Sequence, residues 1–297
     1  MKTNHKRRIA LMDLGSNSSR MTIFEIENGV ASVVKRFRDY VRLSEGLQAT
    51  GVLSEEPMQR TIASLMGFFE IAKEKHADEM ILLATEAVRR AENQAEFIAS
   101  VKEATGLSVT VLSGKEESYY DYIGSKELVG EKGLLLDVGG GSFEMVCVCD
   151  GKMIFDTCLP EGSVVMADRF SKQEEEMLPY FKSAFQKMIP TAVIGGSFVG
   201  LGGTARAAYT LLCGEKAKKN ESHGQVVSKA DLQTLYHHIA ALSLAERKSL
   251  PIVGAERGDI LLSGLALLVA AAELLDADMI LSSNGVREGF LREYLKK

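Results

Sequence analysis

The chain has 297 residues, of which 46% are hydrophobic and 25% charged, a balance that excludes disordered and fibrous classes. Lysine and arginine number 35 against 40 acidic residues, and the net charge of −5 argues against a general nucleic-acid binder driven by bulk positive charge. The length exceeds what one core usually takes, so two domains of about 150 residues are expected.

In chain order, the start Met1 to Arg8 carries no secretory signal, and four cysteines in so long a chain fit free thiols in a reducing cytoplasm. An apolar strand Ile9–Met12 then runs into Asp13-Leu14-Gly15-Ser16-Asn17-Ser18-Ser19. A second strand, Met21–Glu27, meets a third from Val30 across Asn28-Gly29, a strong hairpin signal. Lys35, Arg36, Arg38 and Arg42 cluster on this third strand. The even spacing of Arg36, Arg38 and Arg42 gives a row that either guides a polyanion or only protects a solvated edge.

Ser54 caps a helix with Glu55, Glu56 and Pro57 in its first turn, and Ile62, Leu65, Met66, Phe69 and Ala72 recur at helical spacing. A strand Met80–Ala84 follows, with Arg89 and Arg90 after its end, where one arginine can grip phosphate with both arms of its guanidinium. Next come a helix Ala95–Thr105 stopped by Gly106, a strand Leu107–Leu112 and a helix opening near Gly114.

About 124 residues after the first copy the same order returns. Strand Leu134–Leu136 leads into Asp137-Val138-Gly139-Gly140-Gly141-Ser142, strand Phe143–Cys149, turn Asp150-Gly151 and strand Lys152–Cys158. The repetition predicts two similar domains. Helices near Glu174–Met188, Thr204–Cys213, Ala230–Leu244 and Arg257–Leu275, a strand Met279–Ser282 and a helix Val286–Leu295 finish the chain, and the alternation predicts α/β architecture with mixed sheets. Lys216–His223 reads as an exposed loop. The uncharged run Ile260–Ala272 is too short to cross a bilayer and reads as a buried helix in which Ser263, Gly264 and Ala266 permit close packing. Cys147 and Cys149 share a strand face and read as small buried hydrophobes rather than metal ligands.

A glycine-rich turn directly after a strand lets backbone N–H groups converge on an anion. Two such loops facing each other would clamp successive phosphates, with Asp13 and Asp137 placed to hold hydrated Mg2+ and Glu144 able to return to the same site. Neither a Gly-Lys-Ser/Thr phosphate loop nor a Gly-x-Ser-x-Gly elbow occurs, which points to positioning, metal charge and an activated water rather than a covalent serine. The run Gly200-Leu201-Gly202-Gly203-Thr204 opens a helix and suits either a phosphate or nucleoside at its N-terminus or tight packing on a sheet.

Six segments together resemble the exopolyphosphatase/guanosine pentaphosphate phosphohydrolase (Ppx/GppA) family: Asp13-Leu-Gly-Ser-Asn-Ser18, Ala84-Thr-Glu-Ala-Val-Arg89, Ser113-Gly-Lys-Glu-Glu117, Asp137-Val-Gly-Gly-Gly-Ser-Phe-Glu144, Gly202-Gly-Thr204 and Ser283-Asn-Gly-Val-Arg-Glu-Gly289. The resemblance implies two ribonuclease-H-like domains of the actin-like ATPase superfamily around a central cleft. The first would span 1–125, with its phosphate loop at 13–19 and a base helix at 114–127, completed by the C-terminal helix 286–297; the second would span 126–285, with its loop at 137–144. It further implies release of orthophosphate from the terminal anhydride of inorganic polyphosphate or guanosine pentaphosphate with Mg2+ or another divalent cation.

By matched position, Glu117 is the implied catalytic base, and Asp137, Glu144 and Asp13 are the metal-associated carboxylates. Gly15, Ser16, Asn17, Gly139, Gly140, Gly141, Ser142 and Arg89 are the implied phosphate ligands. Phe143 stands where relatives often carry threonine. The chain also stops after the last shared motif, from which short polyphosphates are expected. A kinase of the same superfamily and a non-catalytic guanosine tetra- or pentaphosphate sensor are the rival readings. A cytoplasmic protein with no nucleic-acid or membrane partner is expected, with a homodimer as the commonest oligomeric default.

Overall fold

The computed structural model describes residues 6–214 and 222–296, so the expected loop Lys216–His223 lies, as far as Glu221, outside the described residues. The chain forms two compact units, Met1–Gly114 with Glu293–Lys297, and Lys115–Arg292.

In the first unit, β1 (Arg7–Leu14), β2 (Ser19–Glu27) and β3 (Val30–Asp39) form an antiparallel meander. Asn28 and Gly29 both take positive φ, 54° and 80°, the turn that matches the right-handed strand twist. After a short helix α1 (Leu47–Thr50) and the long α2 (Glu55–Glu74), β4 (Glu79–Ala84) pairs parallel with β1. The short α3 (Glu86–Arg90) and α4 (Gln94–Thr105) lead to β5 (Val109–Val111), and the sheet order is β3-β2-β1-β4-β5. Helix α2 buries Thr61, Leu65, Phe68 and Ala72 against Met12, Met21 and Phe97, so its inward stripe is turned by about one residue from the expected one and leaves Met66 exposed. Thr61 tolerates burial because its hydroxyl donates to the Pro57 carbonyl at 2.7 Å. Gly106 ends α4 with φ 72°, its N–H capping Lys102 O, as the sequence predicts.

The second unit takes helix α5 (Gly114–Val129) from Lys115 onward, ahead of the boundary after 125 expected from the sequence. Its sheet repeats the plan: β6 (Gly133–Val138), β7 (Phe143–Cys149) and β8 (Lys152–Leu159) form the meander, and β9 (Ser197–Leu201) and β11 (Met279–Leu281) extend it in parallel. A two-residue strand β10 (Val226–Val227) closes the far edge, giving the order β10-β11-β9-β6-β7-β8. Without β10 this is the order of the first unit.

Helices α6 (Ser163–Arg169), α7 (Met177–Met188), α8 (Gly202–Cys213), α9 (Lys229–Ala241), α10 (Leu244–Ser249), α11 (Gly254–Arg257), α12 (Leu261–Leu275) and α13 (Val286–Tyr294) complete the chain. The expected helix Ala230–Leu244 stops at Ala241, because Ser243 and Glu246 form a capping box that starts α10 anew. The expected helix Arg257–Leu275 is likewise split between α11 and α12. From Leu261 to Ala272 every residue of α12 is buried, and a Cβ on Gly264 would stand 2.4 Å from Thr204 Oγ1, which is how closely α12 approaches α8. Among the described residues no helix is long and apolar enough to cross a membrane.

Candidate functional site

In the second unit the loop Gly139–Ser142 has its carbonyls spoken for. Those of Gly139, Gly140 and Gly141 accept N–H bonds from Ser163, Val164 and Gly162 at 2.9, 2.8 and 3.1 Å, and the Ser163 hydroxyl adds a bond to Gly139 O at 3.0 Å. These bonds tie the loop's carbonyls to the start of α6. Gly162 makes this clamp possible, since a Cβ there would lie 2.5 Å from Gly140 O.

The strand register carries Asp137, Glu144 and Cys158 into one row, since Asp137 lies opposite Glu144 across β6 and β7, and Glu144 opposite Cys158 across β7 and β8. The Glu144 Oε1 atom accepts from Ser142 Oγ at 2.6 Å and from Cys158 Sγ at 3.0 Å. Helix α5 adds Glu117, so that one ligand atom each from Glu117, Glu144 and Cys158 falls within 4.8 Å of the others. Ser118 fastens the helix there by donating to Thr157 O at 3.3 Å.

Glu117 and Glu144 are 4% and 5% exposed. Asp121, one turn beyond Glu117, is also buried, and a Cβ built on Gly285 would meet Asp121 Oδ1 at 3.1 Å and Asp137 Oδ2 at 4.0 Å. Asp137 in turn lies against Gly202, whose φ of 83° and whose missing Cβ, 2.2 Å from Asp137 Oδ1 if present, leave room for the carboxylate. Four carboxylates gathered with little water need a cation, protons or hydrogen bonds to offset their charge. Their oxygens suit a hydrated divalent ion such as Mg2+ or Mn2+. Cys147, by contrast, packs in the core, where burial pushes its thiol up to about 12, in keeping with the hydrophobe expected there.

The first unit builds its loop on the same plan. Gly15 N donates to Ser18 O at 3.1 Å, and the carbonyls of Ser16 and Asn17 accept from Ser44 N and Arg42 N, both at 3.0 Å. Ser16 Oγ reaches Glu86 Oε2 at 3.3 Å, and Thr85 holds Leu14 O through both its N–H and its hydroxyl. Asn17 is 7% exposed, and its Nδ2 has no hydrogen-bond partner among the described residues, which leaves a buried donor beside the loop amides. The row here is Asp13, Arg20 and Arg38, opposite one another across β1, β2 and β3. Arg20 Nε donates to Ser18 Oγ at 3.2 Å. Arg36 and Arg38 share a face as expected, but β3 ends at Asp39, and Arg42 lies beyond it in the left-handed region at φ 47°, so it does not continue the row. Arg89 Nη1 donates to the Leu112 carbonyl at 2.7 Å.

Of the candidates read from the sequence, Ser142 donates to Glu144, Glu117 lies in the same cluster, and Asp137 is next in the row. Asp13, Gly15, Ser16 and Asn17 gather at the first loop. Arg20, Asp121 and Cys158 were not anticipated; Asp121 was readable four residues after Glu117 on the same helix face. At the third glycine run, Arg257 Nη2 donates to Thr204 Oγ1 at 3.2 Å and its Nη1 would stand 2.3 Å from a Cβ on Gly203, which favours the packing reading.

Two α/β units with one strand order, each carrying a phosphate-type loop after its first strand, define the actin-like ATPase fold. Residues 22–297 match the Ppx/GppA phosphatase family, and the chain belongs to that family. The Aquifex aeolicus PPX-GPPA enzyme is 28% identical with a TM-score of 0.80, over 97% of this chain and 100% of that one. An exopolyphosphatase from Cytophaga hutchinsonii shares the fold at 22% identity and a TM-score of 0.86, over 98% of each chain. A Vibrio vulnificus protein named guanosine-5'-triphosphate,3'-diphosphate pyrophosphatase is 28% identical over 97% of this chain and 59% of its own length. The chain thus spans about three-fifths of the curated relatives it matches.

Proposed function

We propose that the protein is a divalent-cation-dependent phosphohydrolase that removes the terminal phosphate of an inorganic polyphosphate chain, with water as acceptor. The observation that carries this reading is the group of buried Glu117 and Glu144 with half-buried Cys158, Asp137 lying opposite Glu144, beside a glycine loop whose carbonyls are tied to the start of α6.

In this reading the amides of Gly139–Gly141 and the Ser142 hydroxyl bind the terminal phosphoryl group. Gly15, Ser16, Asn17 and Arg89 of the first unit bind further phosphates, and Arg20 and Arg38 add positive charge for a polyanion. Asp137 and Glu144 are the carboxylates that would hold Mg2+ or Mn2+, and Asp13 is the corresponding metal-associated carboxylate at the loop of the first unit. When bound, that ion neutralises charge on the phosphoryl oxygens. Glu117 orients the attacking water and takes its proton, while Asp121 supplies negative charge one helical turn away.

Guanosine pentaphosphate, which ends in the same anhydride, is the second reading, favoured by the names of the Vibrio and Photobacterium relatives. Orthophosphate release from tripolyphosphate, long polyphosphate and guanosine pentaphosphate, measured in competition on one preparation without added acceptor, tests both readings. Release that depends strictly on a sugar or acid acceptor would reject hydrolysis, and tight nucleotide binding without turnover would support a sensor.

A further inference from the structure

We infer that Cys158 is a positioning residue that fixes the Glu144 carboxylate, an inference that rests on the reading of Glu144 as a cation ligand. Cys158 reaches that place through a local irregularity. Pairing counted from the Asp150-Gly151 turn sets Cys149 against Lys152 and Val148 against Met153, and would bring Thr157 opposite Glu144. A bulge between Cys147 and Val148 moves the partner by one residue, which puts Cys158 there and turns Thr157 to the opposite face.

The thiol then shares Oε1 with the Ser142 hydroxyl, at 3.0 and 2.6 Å. Two donors on one oxygen fix the rotation of the carboxylate and leave Oε2 untouched by either of them. Glu144 is 5% exposed, so water cannot readily replace a lost donor, and donors behind a metal-binding carboxylate typically change affinity or activity by about 10- to 100-fold when removed. A hydroxyl at the same position can donate in the same way, which separates this role from the filling of space.

The test is Mn2+ binding to the full chain without substrate, followed by the electron paramagnetic resonance signal of free Mn2+, with orthophosphate release measured in parallel. For C158A we expect Mn2+ binding weakened about tenfold or more and a lower kcat, with the melting temperature close to wild type. C158S should restore both within about threefold, and E144Q should bind Mn2+ more weakly than either. If C158A does not fold, C158V fills the space with apolar atoms, removes the donor and carries the same expectation. Wild-type Mn2+ binding in C158A alongside loss in E144Q would overturn the role of Cys158 alone, as would equal losses in C158A and C158S. Wild-type binding in E144Q would overturn the reading of Glu144 on which the inference rests.

Discussion

The two units place side chains of opposite character at equivalent positions. Across the three meander strands the first unit aligns Asp13, Arg20 and Arg38, and the second aligns Asp137, Glu144 and Cys158. Both rows begin with an aspartate at the end of the first strand, and both loops have their carbonyls tied by the segment that follows the third strand. Beyond the shared aspartate the charge reverses, from two guanidiniums to a carboxylate and a thiol. One scaffold thus yields a row suited to anions and a row suited to a cation, and the duplicated backbone sets where chemistry occurs while two side chains per copy set its sign.

The largest expected effects lie in the second row. Asp137→Asn should lower orthophosphate release at least about 100-fold and weaken Mn2+ binding, by removing a carboxylate the cation needs; activity near wild type would break the contrast between the rows. Next comes the clamp on the second loop. Gly162→Ala puts a methyl group 2.5 Å from Gly140 O, and its expected cost is about 1–3 kcal/mol of stability by thermal melting together with a loss of activity of about tenfold or more. Ser44→Ala, at the corresponding clamp of the first loop, should be close to silent, because Ser44 acts there through its backbone N–H.

Smaller still, Arg38→Ala should raise KM for tripolyphosphate about three- to tenfold with kcat unchanged, and KM should become less sensitive to salt. A kcat effect instead would move chemistry into the first row. The smallest effect belongs to the frame of the second unit, where Arg292 on α13 donates to Ile123 O and to both Glu127 oxygens, holding the helix that carries Glu117. Burial alone would push the Glu127 carboxyl up, but the Arg292 hydrogen bonds and charge outweigh it and hold the carboxyl below the ordinary 4.5. That stabilisation is present above pH 4.5 and is lost as the pH falls through the lowered value, so Glu127→Gln should cost under about 1 kcal/mol at pH 7 and progressively less in acid.

The duplication was legible in the sequence because its signals are local: an aspartate ending an apolar strand, glycine in the loop, and Asn-Gly or Asp-Gly at the hairpin. The register was less so. Both hairpins contain a bulge, between Ile23 and Phe24 and between Cys147 and Val148, and each moves the outer strand by one residue. Counting from the turns pairs Arg20 with Phe37 and Glu144 with Thr157; the bulges substitute Arg38 and Cys158. A one-residue shift turns every side chain beyond it to the other face, which is why the third member of each row was hidden. Helix ends fared similarly, since the capping box at Ser243 outweighs a continuous apolar periodicity.

The most direct measurement of the division of labour between the rows is single-turnover orthophosphate release from tripolyphosphate by Glu117→Gln, with substrate affinity determined on the same sample. Release should slow at least about 100-fold with affinity within about threefold of wild type, because glutamine keeps the shape of the site and cannot take the proton. Release within about tenfold of wild type would contradict that division of labour.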